Sequence, residues 1–234
     1  MNLRNAVALI TGGSSGIGRA IAQSLAASGA RVAITGRDER KLADTAGALG
    51  VHAIHADVTR EADVDRTYRE VLEKFGDLDI LVNNAGFGVF KNLVDFDLTE
   101  FQSVFSTNVS GAMLMARGAA RHFIARQRGN IVNISSTAGL KGAARGTAYY
   151  ASKFALRGMT ECWRDELRKH NVRVMLVNPS EVLTNFSTVA GFEQKESPTK
   201  LRPEDIARMV KAILEMDDRG FTPELSVFAT NPKN

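Results

Sequence analysis

The chain is 234 residues long, 44% hydrophobic and 24% charged, with a net charge of +4 and one cysteine. That length and composition suit one α/β domain, and mild, scattered basicity argues against a nucleic-acid partner. A lone Cys162 excludes an internal disulfide and a thiolate zinc cluster, and no apolar run approaches the roughly 18 residues of a membrane helix.

In chain order, residues 6–11, 31–35, 51–55, 80–83, 130–135, 172–178 and 225–229 read as strands. Several are continuously apolar, as in parallel sheets covered on both faces. Helical periodicity fills residues 15–28, 39–49, 61–75, 100–126, 149–169 and 203–216. The strict alternation predicts an α/β fold: a Rossmann-type doubly wound parallel sheet with helices on both faces, one domain over 1–234. Thr99-Glu100-Phe101-Gln102 carries the capping-box pattern, and Pro203 suits a first helical position. The densest basic stretch, Arg121 to Arg128, closes an apolar helical pattern, where cations complement the helix dipole. The first apolar run, Ala6 to Ile10, is too short for a signal core, so the expectation is a cytoplasmic protein with no membrane partner and no metal.

In such a sheet ligands bind beyond the carboxyl ends of the strands, at the switch point. After the first strand comes Thr11-Gly12-Gly13-Ser14-Ser15-Gly16-Ile17-Gly18. Between a strand and a helix, this turn lets backbone approach a pyrophosphate and aims free N–H groups at it. Gly12, Ser14, Ser15, Gly16, Ile17 and Gly18 are the candidate contacts of a dinucleotide. After the second strand stands Gly36-Arg37-Asp38. A carboxylate here would bind the ribose hydroxyls of NAD, and an arginine the 2′-phosphate of NADP. Arg37 follows a glycine that leaves room, and Asp38 reads as the cap of the next helix, so NADP(H) is favoured over NAD(H).

Tyr149-Tyr150-Ala151-Ser152-Lys153 pairs two tyrosines with one lysine, at i,i+4 and i,i+3. A phenol titrates near ~10, and a cation on the same helix face favours phenolate and lowers that value. Helix geometry permits both pairs, so spacing leaves the choice of tyrosine open.

Five ordered motifs carry a resemblance: Thr11-Gly12-x-x-x-Gly16-x-Gly18, Asn83-Asn84-Ala85-Gly86, Asn108, Asn133-Ile134-Ser135-Ser136 and Tyr149-x-x-x-Lys153. Together, over about residues 4–184, they resemble the short-chain dehydrogenase/reductase family and its 3-oxoacyl-carrier-protein reductase-like members. The resemblance implies an NADPH-dependent carbonyl reductase in which Tyr149, thirteen residues after Ser136, is the acid. It implies that Ser136 bonds the substrate oxygen and that Lys153 holds the nicotinamide ribose. Asn108 would help to hold a water that links Lys153 to solvent. Asp57 and Val58 would meet the adenine, and Asn84, Ala85 and Gly86 would flank the cofactor ribose. Pro179, Val182 and Thr184 would lie by the nicotinamide carboxamide. Tyr150 is expected to face the core or a partner subunit. The cofactor half would cover about 1–135 and the catalytic and substrate half about 136–234, with a short lid over about 185–200. The partners implied are a small carbonyl or alcohol substrate and a second copy, in a homodimer or homotetramer through helices 100–126 and 149–169. Alternatives are an NAD(P)-dependent alcohol dehydrogenase of another small substrate and a non-catalytic NADP-binding regulatory protein.

Three features depart from the family pattern. Ser180 replaces the usual glycine after Pro179, which requires a backbone free of left-handed dihedrals or a tolerated strain. Glu181 reads either as a repulsive charge at the cleft mouth or as a solvent-facing one. The short lid, with Phe186 and Phe192, suggests an open site for carrier-borne substrates.

Overall fold

The computed structural model describes residues 1–184, 186, 190 and 197–231. Seven strands, β1 (Val7–Ile10), β2 (Arg31–Gly36), β3 (His52–His55), β4 (Ile80–Asn83), β5 (Gly129–Ile134), β6 (Val172–Pro179) and β7 (Glu224–Val227), form one sheet in the order 3-2-1-4-5-6-7. Every pairing is parallel. The helices are α1 (Gly16–Ala27), α2 (Glu39–Leu49), α3 (Glu61–Phe75), α4 (Leu98–Phe105), α5 (Ala112–Arg126), α6 (Thr147–Leu167) and α7 (Pro203–Glu215).

Strand side chains alternate between two apolar layers, which is why the strands read as unbroken apolar runs. Ala8 and Ile10 pack with α1, α2 and α7 through Ile21, Leu42 and Val210. Val7 and Leu9 pack on the other face with α3 and α5 through Val71, Met115 and Phe123. The chain winds outward from β1 in one direction and from β4 in the other, so the carboxyl ends of β1 and β4 flank the switch point.

The expected helix over 100–126 is three pieces: α4, a π-helical turn over Ser106–Gly111, and α5. Its start is also corrected. Asp97, not Thr99, is the cap, its Oδ1 accepting from the N–H groups of Thr99 at 2.7 Å and Glu100 at 3.3 Å. Two residues upstream, the carboxylate satisfies two of the orphan donors of the first turn. Pro203 does open α7, and there Asp205 Oδ2 accepts from the Arg202 N–H at 2.9 Å. The basic end of α5 meets carboxylates as well as the helix dipole: His122 and Arg126 bond Asp77, and Arg128 lies 3.5 Å from it.

At the end of the sheet opposite the switch point, Arg173 is buried at the start of β6. Its guanidinium donates to Asn130 Oδ1 at 2.7 Å and to the carbonyls of Leu214 at 3.1 Å and Met216 at 3.2 Å. It thereby closes the carboxyl end of α7, whose last carbonyls lack helical partners. Arg173→Met strands those acceptors and should cost about 2–4 kcal/mol. The melting temperature should fall by roughly 5–12 °C with NADPH affinity unchanged, read by thermal unfolding and cofactor titration.

Candidate functional site

One cavity of about 720 Å³ runs along the carboxyl ends of β1 to β6. Gly12, Ser14, Ser15, Gly16 and Ile17 of the glycine turn line it, as do Arg37, Asp57, Val58, Asn84, Ala85, Gly86, Ser136, Tyr149, Lys153, Pro179, Val182 and Thr184; Gly18 does not. Sequence positions more than 170 residues apart thus meet at one site.

At the switch point, Thr11 ties β1 to β4. Its Oγ1 accepts from the N–H groups of Asn84 and Ala85, both at 3.0 Å. The Asn84 amide donates back to the carbonyls of Thr11 at 3.0 Å and Gly12 at 3.2 Å. Asn84 is therefore a brace for the turn. Gly18 lets α1 sit against it: a Cβ there would stand 2.4 Å from the Gly12 oxygen. Ser15 precedes α1 without a capping bond, and no acidic side chain occupies the first turn. An uncapped helix start of this kind fits a pyrophosphate, whose oxygens would accept the exposed N–H groups. These residues therefore fit the dinucleotide that the sequence implies.

Asp38 is engaged as expected: its Oδ1 caps α2 through the Lys41 N–H at 3.0 Å. That leaves Arg37 and Lys41 as the cationic side chains lining this corner. Lys41 was not legible as a site residue; its one signal is its place in the first turn of the helix after Arg37. Asp57 makes a turn, accepting from the Thr59 N–H at 2.9 Å and hydroxyl at 2.8 Å, and Val58 packs under Gly111 of the π-helical turn.

Asn108 stands in that π-helical turn, 2% exposed. Its Oδ1 accepts from the Phe87 N–H at 3.0 Å, and its amide donates to the Phe87 carbonyl at 2.9 Å and Ser152 Oγ at 3.0 Å. One side chain so joins the loop after β4 to α6. The extra residue per turn of a π-helix is what brings it there.

Ser136 stands just after β5, its Oγ accepting from the Ala138 N–H at 3.1 Å, and it lies beside the Tyr149 hydroxyl. The Lys153 ammonium donates to the Ile134 carbonyl at 3.0 Å and lies 5.6 Å from the Tyr149 ring centroid. The expected depression of the tyrosine is not found. Burial pushes its pKa up to about 12 against the pull of the Ser136 bond, and burial lowers Lys153 to about 8. The ammonium is turned to a backbone carbonyl and the face of the ring, and desolvation disfavours the charged form of both groups. Tyr150 lines the cavity, folded over Gly146.

Ser180 lies outside the left-handed region and is built into the sheet edge, its N–H donating to the Val227 carbonyl at 2.8 Å. Glu181 neither simply repels nor simply faces water: it accepts from the buried Lys200 ammonium at 3.0 Å. Beside it Val182 pairs with Leu201. Of the expected lid over 185–200, Phe186, Ala190 and 197–200 are described, and the rest, with Phe192, lies outside the described residues. Phe87, Phe90, Thr107 and Thr137 also line the cavity. Sequence reading missed them because an isolated ring or hydroxyl carries no spacing signal.

Among the described residues there is no group of three or more metal-ligating side chains, and no helix is long and apolar enough to cross a membrane.

The family described as short chain dehydrogenase matches residues 6–195. (+)-Borneol dehydrogenase 2 of Salvia officinalis is 39% identical over 193 residues, 80% of this chain and 68% of that protein. The 3-ketoacyl-(acyl-carrier-protein) reductase of Brucella melitensis, solved with NADH, superposes with a TM-score of 0.90 at 32% identity over 96% of this chain and 97% of that one. An alcohol dehydrogenase of the archaeon Thermococcus sibiricus, solved with 5-hydroxy-NADP, gives 0.86 at 28% identity over 98% and 99%.

The lysine pKa has a consequence for stability. Between about 8 and the usual 10.5 the unfolded chain binds the proton that the folded chain has lost, so wild-type stability rises with pH across that window. Removing a buried ammonium removes its desolvation cost. At pH 7, Lys153→Met should therefore melt roughly 4–8 °C higher than wild type. The gap should narrow as pH rises from 8 to 10; a gap that is constant with pH would contradict the burial argument.

Proposed function

The chain belongs to the short-chain dehydrogenase family and is an NAD(P)-dependent oxidoreductase, and from that premise we propose that it is an NADPH-dependent reductase of a ketone, with Tyr149 as proton donor. The observation that carries the reading is Tyr149 beside Ser136, with the Lys153 ammonium 5.6 Å from its ring centroid, in the cavity that also holds the uncapped start of α1.

When bound, a reduced nicotinamide supplies the hydride that adds to the carbonyl carbon. The remaining work belongs to the chain. Gly12, Ser14, Ser15, Gly16 and Ile17 hold the pyrophosphate, Gly18 lets α1 approach the turn, and Arg37 with Lys41 takes the 2′-phosphate as a charged pair of donors. Asp57 and Val58 take the adenine, Asn84, Ala85 and Gly86 flank the ribose, and Pro179, Val182 and Thr184 orient the nicotinamide end. Ser136 donates to the carbonyl oxygen, where negative charge develops. Tyr149 gives its proton to that same oxygen as the carbon gains hydride, leaving an alcohol. Lys153, still largely charged below about pH 8, offsets the phenolate that results. Asn108 positions the site by fixing Phe87 to α6.

A tyrosine near 12 keeps its proton at neutral pH, the form that a donor to a carbonyl oxygen requires. A regulatory NADP-binding protein would need no such donor beside the nicotinamide. The likeness to the Brucella reductase supports 3-oxoacyl thioesters as one candidate substrate class. Exposed Phe154 on α6 and Leu98 on α4 support assembly through these helices, as dimer or tetramer, and a lone exposed cysteine suits the cytoplasm.

Two experiments test this reading with NADPH oxidation against a panel of ketones. Tyr149→Phe should lower kcat/KM by about a hundredfold or more while NADPH affinity stays within about twofold, and Tyr150→Phe should keep most activity. The opposite ranking would make Tyr150 the acid. Arg37→Ala should weaken NADPH by about tenfold and NADH far less. Equal losses for the two cofactors would remove the phosphate role.

A further inference from the structure

The cavity changes character along its length. Arg37, Asp38, Lys41 and Asp57 place its charges at the end built on β2 and β3. Around Tyr149 the wall is made of rings. The Phe90 and Phe186 centroids lie 5.5 Å and 5.2 Å from that of Tyr149, and they meet each other edge-on at 6.4 Å and 80°. Tyr150 stands edge-on to Tyr149 at 6.1 Å. Gly88 allows the cluster to close: a Cβ there would lie 2.8 Å from Phe90, 3.0 Å from Phe186 and 3.1 Å from Tyr149. The two ionisable side chains lining this end besides the tyrosines are both engaged, Lys153 with the Ile134 carbonyl and Glu181 with Lys200.

We propose that the substrate is a hydrocarbon ring ketone, alicyclic or aryl, and that Phe90 and Phe186 are the side chains that select it; the inference rests on the reductase reading above and names its substrate class. Two rings set nearly at right angles form a rigid corner, and a rigid ring fills it without freezing rotors. A flexible acyl chain of equal carbon number loses that freedom on binding. A polyhydroxylated sugar would turn hydroxyls onto ring faces that offer no partner. An anionic substrate would find no uncommitted cation among the described residues beside the tyrosine. The amide-bearing arm of a carrier-borne thioester would likewise cross an aromatic wall. The chemistry is that of the reductase: the carbonyl carbon gains hydride from NADPH, the oxygen gains the Tyr149 proton, and a ring alcohol leaves with NADP⁺ behind.

Binding can be read without turnover. Tyr149→Phe enzyme carrying NADPH would be titrated with cyclohexanone against hexan-2-one, acetophenone against octan-2-one, and an acetoacetyl thioester, following nicotinamide fluorescence. Each ring ketone should bind about tenfold tighter than its open-chain isologue and the thioester. Phe90→Leu and Phe186→Leu, made in the same background, should each erase most of that preference while leaving NADPH affinity unchanged. No ring preference, a preference that survives both substitutions, or tighter binding of the thioester would overturn the proposal. Turnover by the wild type is read separately. Ring ketones that bind selectively and are never reduced would keep the subsite and sink the reductase reading instead.

Discussion

Lys153 holds its ammonium almost wholly out of water, against the carbonyl that ends β5 and beneath the Tyr149 ring. An isolated charge would not be kept there by stability alone, because burial favours its neutral form. Everything around it serves to hold the position. α6 carries the lysine and the tyrosine on one face, β5 supplies the carbonyl, and Ser135 Oγ donates back to the Lys153 carbonyl at 3.4 Å. Asn108 locks the neighbouring Ser152 to the loop after β4. The site spends stability on a pre-placed charge, and the two apolar layers of the sheet supply the margin for it.

The same helix is anchored below the site by a polar rung through the core. Asn83 Nδ2 donates to Asn133 Oδ1 at 3.0 Å, and Asn133 Nδ2 donates to Thr160 Oγ1 at 2.8 Å. Three elements, β4, β5 and α6, are thereby fixed in register under the catalytic corner. Buried amides bonded to one another admit few alternative arrangements, whereas apolar contacts alone would tolerate sliding. This is the physical reason the asparagines at the ends of adjacent strands belong to the site though they point away from it.

How much of this could be read in the sequence depended on whether a signal was local. The strands, the helices and the glycine turn follow from periodicity and chain order, since each is set within about ten residues. Tyr149 and Tyr150 are equivalent by helix spacing, and only the resemblance separated them. The π-helical turn was hidden because one extra residue barely disturbs an apolar pattern running from 100 to 126. The cap at Asp97 was missed because Thr99 offered an equally plausible one two residues on. Phe90 and Phe186 reach Tyr149 from separate segments, and Glu181 meets Lys200 nineteen residues away; such pairings exist only in the folded chain.

Charge is what sorts the two halves of the cavity. A dinucleotide carries its anions at one end, and there the chain provides backbone donors, Arg37 and Lys41. Had cations besides Lys153 lined the tyrosine end, the cofactor's phosphates and an anionic substrate would compete for them, and proton transfer would take place in a wetter setting. The aromatic wall removes both conditions. Burial beside these rings raises the tyrosine pKa and disfavours the charged form of Lys153 as well. Phe90 and Phe186 lie against Tyr149, so the ring subsite proposed above and the burial of the phenol involve the same side chains, and a change in one would alter the other.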